Sequence, residues 1–108
     1  MVSTITREEL REKIIRGDKF HLVEVECAEG SGQAHIPGSL RLQPDELRGQ
    51  AAEILPNKSA EVILYCREGD CPCAERTAEE LTSAGYTAVF NYPLGLEGWV
   101  DAGYPCEL

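Results

Sequence analysis

The chain has 108 residues, 43% hydrophobic and 27% charged, enough for one domain with a real core that needs neither disulfides nor metal to close it. Asp and Glu number 19 against 10 Lys and Arg, a formal net charge of −9, which repels nucleic acid and anionic membranes and excludes both as expected partners. No stretch reaches the length of a membrane span and the N-terminus carries no apolar signal core, so the expected location is cytoplasmic.

In chain order, Thr6 and Glu9 have the spacing of a capping box, with Ile5 and Leu10 placed for a hydrophobic staple. Leu10, Ile14 and Ile15 predict one apolar helix stripe, and Gly17 a C-terminal cap. Residues 20–25 read as a strand that contains His21. Residues 30–33 read as a loop, 35–38 as a turn and 40–42 as a short strand. Pro44 and Asp45 open a helix with Leu47, Ala51, Ile54 and Leu55 on one face; residues 56–59 turn the chain. Residues 62–65 are apolar without alternation, as in a strand covered on both faces. A helix predicted from about Ala74 carries Ala78 and Leu81 and ends at Gly85, with Tyr86 packing back on it. Residues 88–92 form another strand, and Leu96, Trp99 and Val100 mark a last short helix. Strands alternating with helices imply a mostly parallel sheet with helices on both faces. Without a repeat or a linker, residues 1–108 form a single domain.

In such sheets, sites form beyond the C-terminal strand ends. The apolar run 62–65 ends at Cys66, and Arg67, Glu68, Gly69, Asp70, Cys71, Pro72 and Cys73 lead into the next helix. Loop amides and a helix N-terminus there are expected to favour a thiolate and to lower the Cys66 pKa. Cys66 is therefore the candidate nucleophile. The alternative is a small buried hydrophobe at a strand end. Cys71 and Cys73 are candidate resolving thiols. Cys27 follows an earlier strand and is expected on the same rim, and Cys106 lies in a C-terminal tail expected to be mobile. Five cysteines is an odd number, which excludes a complete disulfide framework within one chain.

Several of these marks, taken in order, resemble a single-domain rhodanese. Leu22 to Val25 resembles the first core strand of that family, and His35-Ile36-Pro37-Gly38-Ser39 its most recognisable turn. Leu64-Tyr65-Cys66 resembles the strand leading into the active-site loop, and Leu81 to Tyr86 the end of the following helix. The stretch from Asn91 to Trp99 and that from Ala102 to Pro105 resemble the closing segment. The resemblance implies a three-layer α/β fold, a central parallel five-stranded sheet with helices on both faces. It implies sulfurtransferase activity through a persulfide on Cys66, with loop amides of residues 67 to 73 and Arg67 assisting. It implies no metal or organic cofactor, and as partners a small sulfur donor or a protein persulfide or thiol acceptor. It assigns His35 to a structural turn.

The chain also departs from that family. The loop matches a subgroup with Cys-x4-Cys better than the more usual Cys-Arg-x-Gly-x-Arg, and no arginine stands where phosphatase relatives need one. Glu26 replaces an arginine common after the first strand, and Leu94 the first of a usual glycine pair. Two rival functions remain open: a thiol redox protein using Cys66 and Cys71, and a non-enzymatic metal- or partner-binding module on Cys66, Cys71 and Cys73. With Glu68 and Asp70 flanking Arg67 in an acidic chain, thiosulfate, a dianion, is expected to be a poor donor.

Overall fold

A computed structural model of the chain describes residues 2–26, 34–69 and 71–107. Its elements are β1 (Ser3–Thr4), α1 (Arg7–Arg16), β2 (His21–Val25), β3 (Leu40–Leu42), α2 (Pro44–Ile54), β4 (Val62–Tyr65), α3 (Pro72–Ser83), β5 (Val89–Asn91) and α4 (Gly95–Asp101). The five strands form one sheet in the order β1-β5-β4-β2-β3, with every pairing parallel. Parallel strands need connections that cross back over a face, and α1, α2 and α3 carry those from β1 to β2, from β3 to β4 and from β4 to β5.

The local signals act as their chemistry dictates. Thr6 Oγ1 accepts from the Glu9 amide at 3.1 Å while Glu9 Oε1 accepts from the Thr6 amide at 3.0 Å, so the capping box is reciprocal. Gly17 closes α1 at φ +74°, in the left-handed region open to glycine. Leu10 is fully buried, but Ile15, expected beside it, is 64% exposed. Five residues on from Leu10, it stands about 140° around the helix. Val100 departs in the same way, on the outer side of α4. α3 begins at Pro72, two residues before the expected Ala74, because proline suits a first helical position whose N–H would have no partner.

β4 lies between β5 and β2, and all four of its residues are buried. Its side chains divide by the period of two. Val62 and Leu64 pack with Leu47, Leu55, Ala78, Leu81 and Tyr86, toward α2 and α3. Ile63 and Tyr65 pack with Leu10, Ile36, Leu96 and Trp99, toward α1 and α4. Cys66 continues the alternation and joins the α2–α3 side. Tyr86 fixes that layer further, its hydroxyl donating to the Leu55 carbonyl at 2.6 Å.

The C-terminal segment is not the loose tail expected. His35 and Glu107 exchange backbone hydrogen bonds of 2.9 Å, Glu107 Oε1 accepts from the Gly38 amide at 3.0 Å, and Trp99 Nε1 donates to the Pro105 carbonyl at 2.8 Å. Cys106 is consequently half-buried beside the α1–α4 core. Among the described residues, no helix is long and apolar enough to cross a membrane.

Candidate active site

Cys66 sits where β4 ends, 4% exposed. Its sulfur accepts the Ala74 amide of the first turn of α3 at 3.3 Å, and its S–H reaches the Cys71 carbonyl at 3.9 Å. Cys71 is the N-cap residue of α3, half-buried and packed against the cluster that holds Cys66. Cys66, Cys71 and Cys106 are thiols, whereas Cys73 is disulfide-bonded. Of the expected site residues, Asp70 lies outside the described residues, as do Cys27 and the loop 30–33.

The acidity expected for Cys66 is reversed. Burial, the largest cause, pushes its thiol up to about 12, and the hydrogen bond to the Cys71 side chain adds to the rise. The Ala74 amide pulls the other way, as a helix N-terminus should, and is outweighed. The resting sulfur is a protonated thiol.

The loop is buttressed from α4. The Leu96 amide donates to the Cys66 carbonyl at 3.0 Å and the Glu97 amide to the Arg67 carbonyl at 3.1 Å. This approach requires Gly95, at φ +68°, since a Cβ there would lie 2.7 Å from the Cys66 carbonyl oxygen and 2.9 Å from that of Glu68. The Gly69 amide donates to Glu97 Oε1 at 2.8 Å, so one of the amides expected to face a sulfur donor holds a carboxylate. Arg67 Nη1 donates to the Ala34 carbonyl at 3.2 Å, the acceptor that Arg41 Nη2 also reaches at 3.3 Å. Arg67, Leu96, Glu97, Val100 and Asp101 line a hollow of about 380 Å³ beside the loop.

On the opposite side of the sheet, a polar knot lies under the His35 turn. The Tyr65 hydroxyl accepts from the Ile36 amide at 3.1 Å and sits 3.2 Å from Glu24 Oε1 and 3.0 Å from Ser39 Oγ. Fully buried Glu24 pairs with Arg41, its register partner on β3, at 3.1 Å. Glu26, which replaces the family's arginine, also pairs with Arg41, at 3.3 Å. His35 Nδ1 lies 3.0 Å from both the Ile36 carbonyl and Ser39 Oγ, contacts internal to its own turn. Sequence reasoning missed Glu24, Glu97 and Gly95. A lone acid in a strand otherwise buried, facing an arginine on the neighbouring strand, was the available signal for the first.

Comparison with known proteins bears on this geometry. The rhodanese-like domain family matches residues 6–102. An uncharacterised Escherichia coli K12 protein, YibN, is 30% identical over 105 residues, 96% of this chain and 71% of its own length. A protein named sulfurtransferase from Allochromatium vinosum is 28% identical over 97% of this chain and 94% of its own. The crystal structure of the BH2092 protein of Bacillus halodurans superposes with a TM-score of 0.85, covering 97% of this chain and 76% of that one; at 23% identity this likeness speaks for the fold alone.

Proposed function

The chain belongs to the rhodanese-like domain family, and from that membership we propose that it moves sulfane sulfur from a donor to a thiophilic acceptor through a persulfide on Cys66. The Allochromatium relative, named a sulfurtransferase, supports sulfur transfer as the general chemistry. One observation carries the choice of atom: the Cys66 sulfur lies at the C-terminal end of the central strand, with the Ala74 amide directed onto it at 3.3 Å. That N–H stabilises negative charge on the sulfur as it attacks the donor or leaves on transfer. Arg67 acts through position, tying the loop to the Ala34 carbonyl, and loop amides receive the terminal sulfur.

A buried thiol favours a donor that brings little charge. Glu68 and the Glu97 carboxylate on the Gly69 amide place negative charge at the loop, so a neutral or protein-borne persulfide suits this site better than thiosulfate. The test is sulfide release from a small persulfide donor in the presence of excess monothiol. Wild type turns over, and Cys66→Ser, checked for its fold by circular dichroism, loses activity by about three orders of magnitude or more. Wild-type turnover by a folded Cys66→Ser would remove the proposal.

A further inference from the structure

Beyond this transfer reaction, we propose that Cys71 resolves the Cys66 persulfide when no acceptor arrives, releasing hydrogen sulfide and closing a Cys66–Cys71 disulfide that a dithiol reductant must reopen. The inference rests on the persulfide reading of Cys66 and adds a second outcome at the same sulfur.

The geometry singles out one pair of sulfurs. The Cys71 carbonyl lies 3.9 Å from the Cys66 sulfur, and the Cys71 side chain, five residues on, raises the Cys66 pKa as a close neighbour does. Both side chains pack in one cluster. In a persulfide the inner sulfur is the cysteine's own Sγ, so the atom under attack is the one beside which Cys71 is packed. Cys73, the other loop cysteine, is committed to a disulfide. Exposure divides the roles: Cys66 is buried, whereas Cys71 is half-exposed at the head of α3, where a reductant reaches it.

The step balances without an outside oxidant. The Cys71 thiolate attacks the inner sulfur, and a bond forms between the two cysteine sulfurs. The bond from Cys66 to the outer sulfur breaks, and the outer sulfur leaves with the electron pair as hydrosulfide. It takes up the proton that Cys71 lost. The sulfane sulfur is reduced and the two cysteines are oxidised to a disulfide. Reopening consumes two electrons, supplied by a dithiol reductant.

The experiment loads the protein, as isolated, with a slight excess of a small persulfide donor and then removes the donor. Intact mass is followed over time, with sulfide measured in parallel. The expected wild type becomes lighter than the starting protein by two hydrogen atoms and releases one sulfide per chain. Tandem mass spectra place the new bridge between Cys66 and Cys71, and a dithiol returns both cysteines to thiols. The expected Cys71→Ser protein stays heavier by one sulfur atom and releases at least tenfold less sulfide. A wild type that holds its extra sulfur as long as Cys71→Ser does would overturn the resolving role and leave the transfer reading intact. A bridge from Cys66 to Cys73 would overturn it equally. If neither protein gains sulfur, the persulfide reading itself fails.

Discussion

Tyr65 and Cys66 are adjacent, yet they anchor two regions of opposite character. The strand period sends Tyr65 into the knot with Glu24, Ser39 and the Ile36 amide, and Cys66 into an apolar layer with Ala74, Ala78 and Leu81. The knot is made of hydrogen bonds among nitrogen and oxygen atoms, its Glu24–Arg41 pair fixed by strand register. Contacts at the thiol are long, weak and centred on sulfur. The knot is therefore stabilising and chemically inert. The polar contacts at the thiol contribute little to stability, and they rearrange at small cost when sulfur is added or a bridge closes. One strand end carries both a rigid hinge-pin and a reactive group, and substitution can separate the two.

Breaking the knot carries the largest expected effect on stability. Glu24→Ala takes the buried carboxylate from Arg41 and removes an acceptor from Tyr65, so a loss of about 3 kcal/mol is expected, near the low end for a broken buried pair because Arg41 is partly exposed and keeps Glu26. Tyr65→Phe strips the Ile36 amide of its partner and should cost about 1–3 kcal/mol. Urea unfolding measures both. If the two regions are separable, sulfur uptake per folded molecule, measured well below the midpoint, remains close to wild type. A Glu24→Ala protein of undiminished stability would mean the knot is not what pins this edge.

The pH dependence sharpens the other side. Because burial raises the Cys66 pKa to about 12, the thiolate fraction, and with it the rate of Cys66 alkylation, should rise about tenfold per pH unit from 7 to 10 without levelling. The linkage has a definite sign. The fold binds the Cys66 proton more tightly than the unfolded chain does, so this contribution to stability is complete below the ordinary thiol pKa of about 8.5. It is lost as pH climbs toward 12. Peptide-resolved alkylation rates decide the matter, and a plateau below pH 8 would show that the reactive loop ionises as the sequence alone suggests.

A smaller effect concerns charge at the pocket. Glu68→Gln with Asp70→Asn should raise kcat/KM for thiosulfate several-fold at low salt, on the order of 1 kcal/mol, and the gain should shrink at high salt. An unchanged rate at low salt would detach donor choice from these carboxylates.

Much of this contrast was legible from local signals, and the remainder was not for definite reasons. The Thr6–Glu9 box, the Gly17 cap and the unbroken apolar run ending at Cys66 are set by near neighbours in the chain, and each stands where expected. β1 carries only Ser3 and Thr4, both exposed, and is a strand solely because β5 pairs with it; two polar residues give no periodicity to read. The same holds at the site. Strand, loop and helix place the Cys66 sulfur under an α3 amide, and sequence order suffices to anticipate that. Its depth of burial and the Glu97 carboxylate on Gly69 come from packing between elements distant in the chain. Burial, with the neighbouring Cys71, outweighs the local dipole and turns an expected thiolate into a protonated thiol.

The most direct test of the central claim compares two single variants loaded with the same persulfide donor, trapped by alkylation and mapped by peptide mass. The account predicts that Cys71→Ser carries the added sulfur on Cys66, while folded Cys66→Ser carries none on its remaining loop cysteines. An adduct that persists on Cys71 in Cys66→Ser and vanishes in Cys71→Ser would show that the strand-end cysteine is not the sulfur-accepting atom.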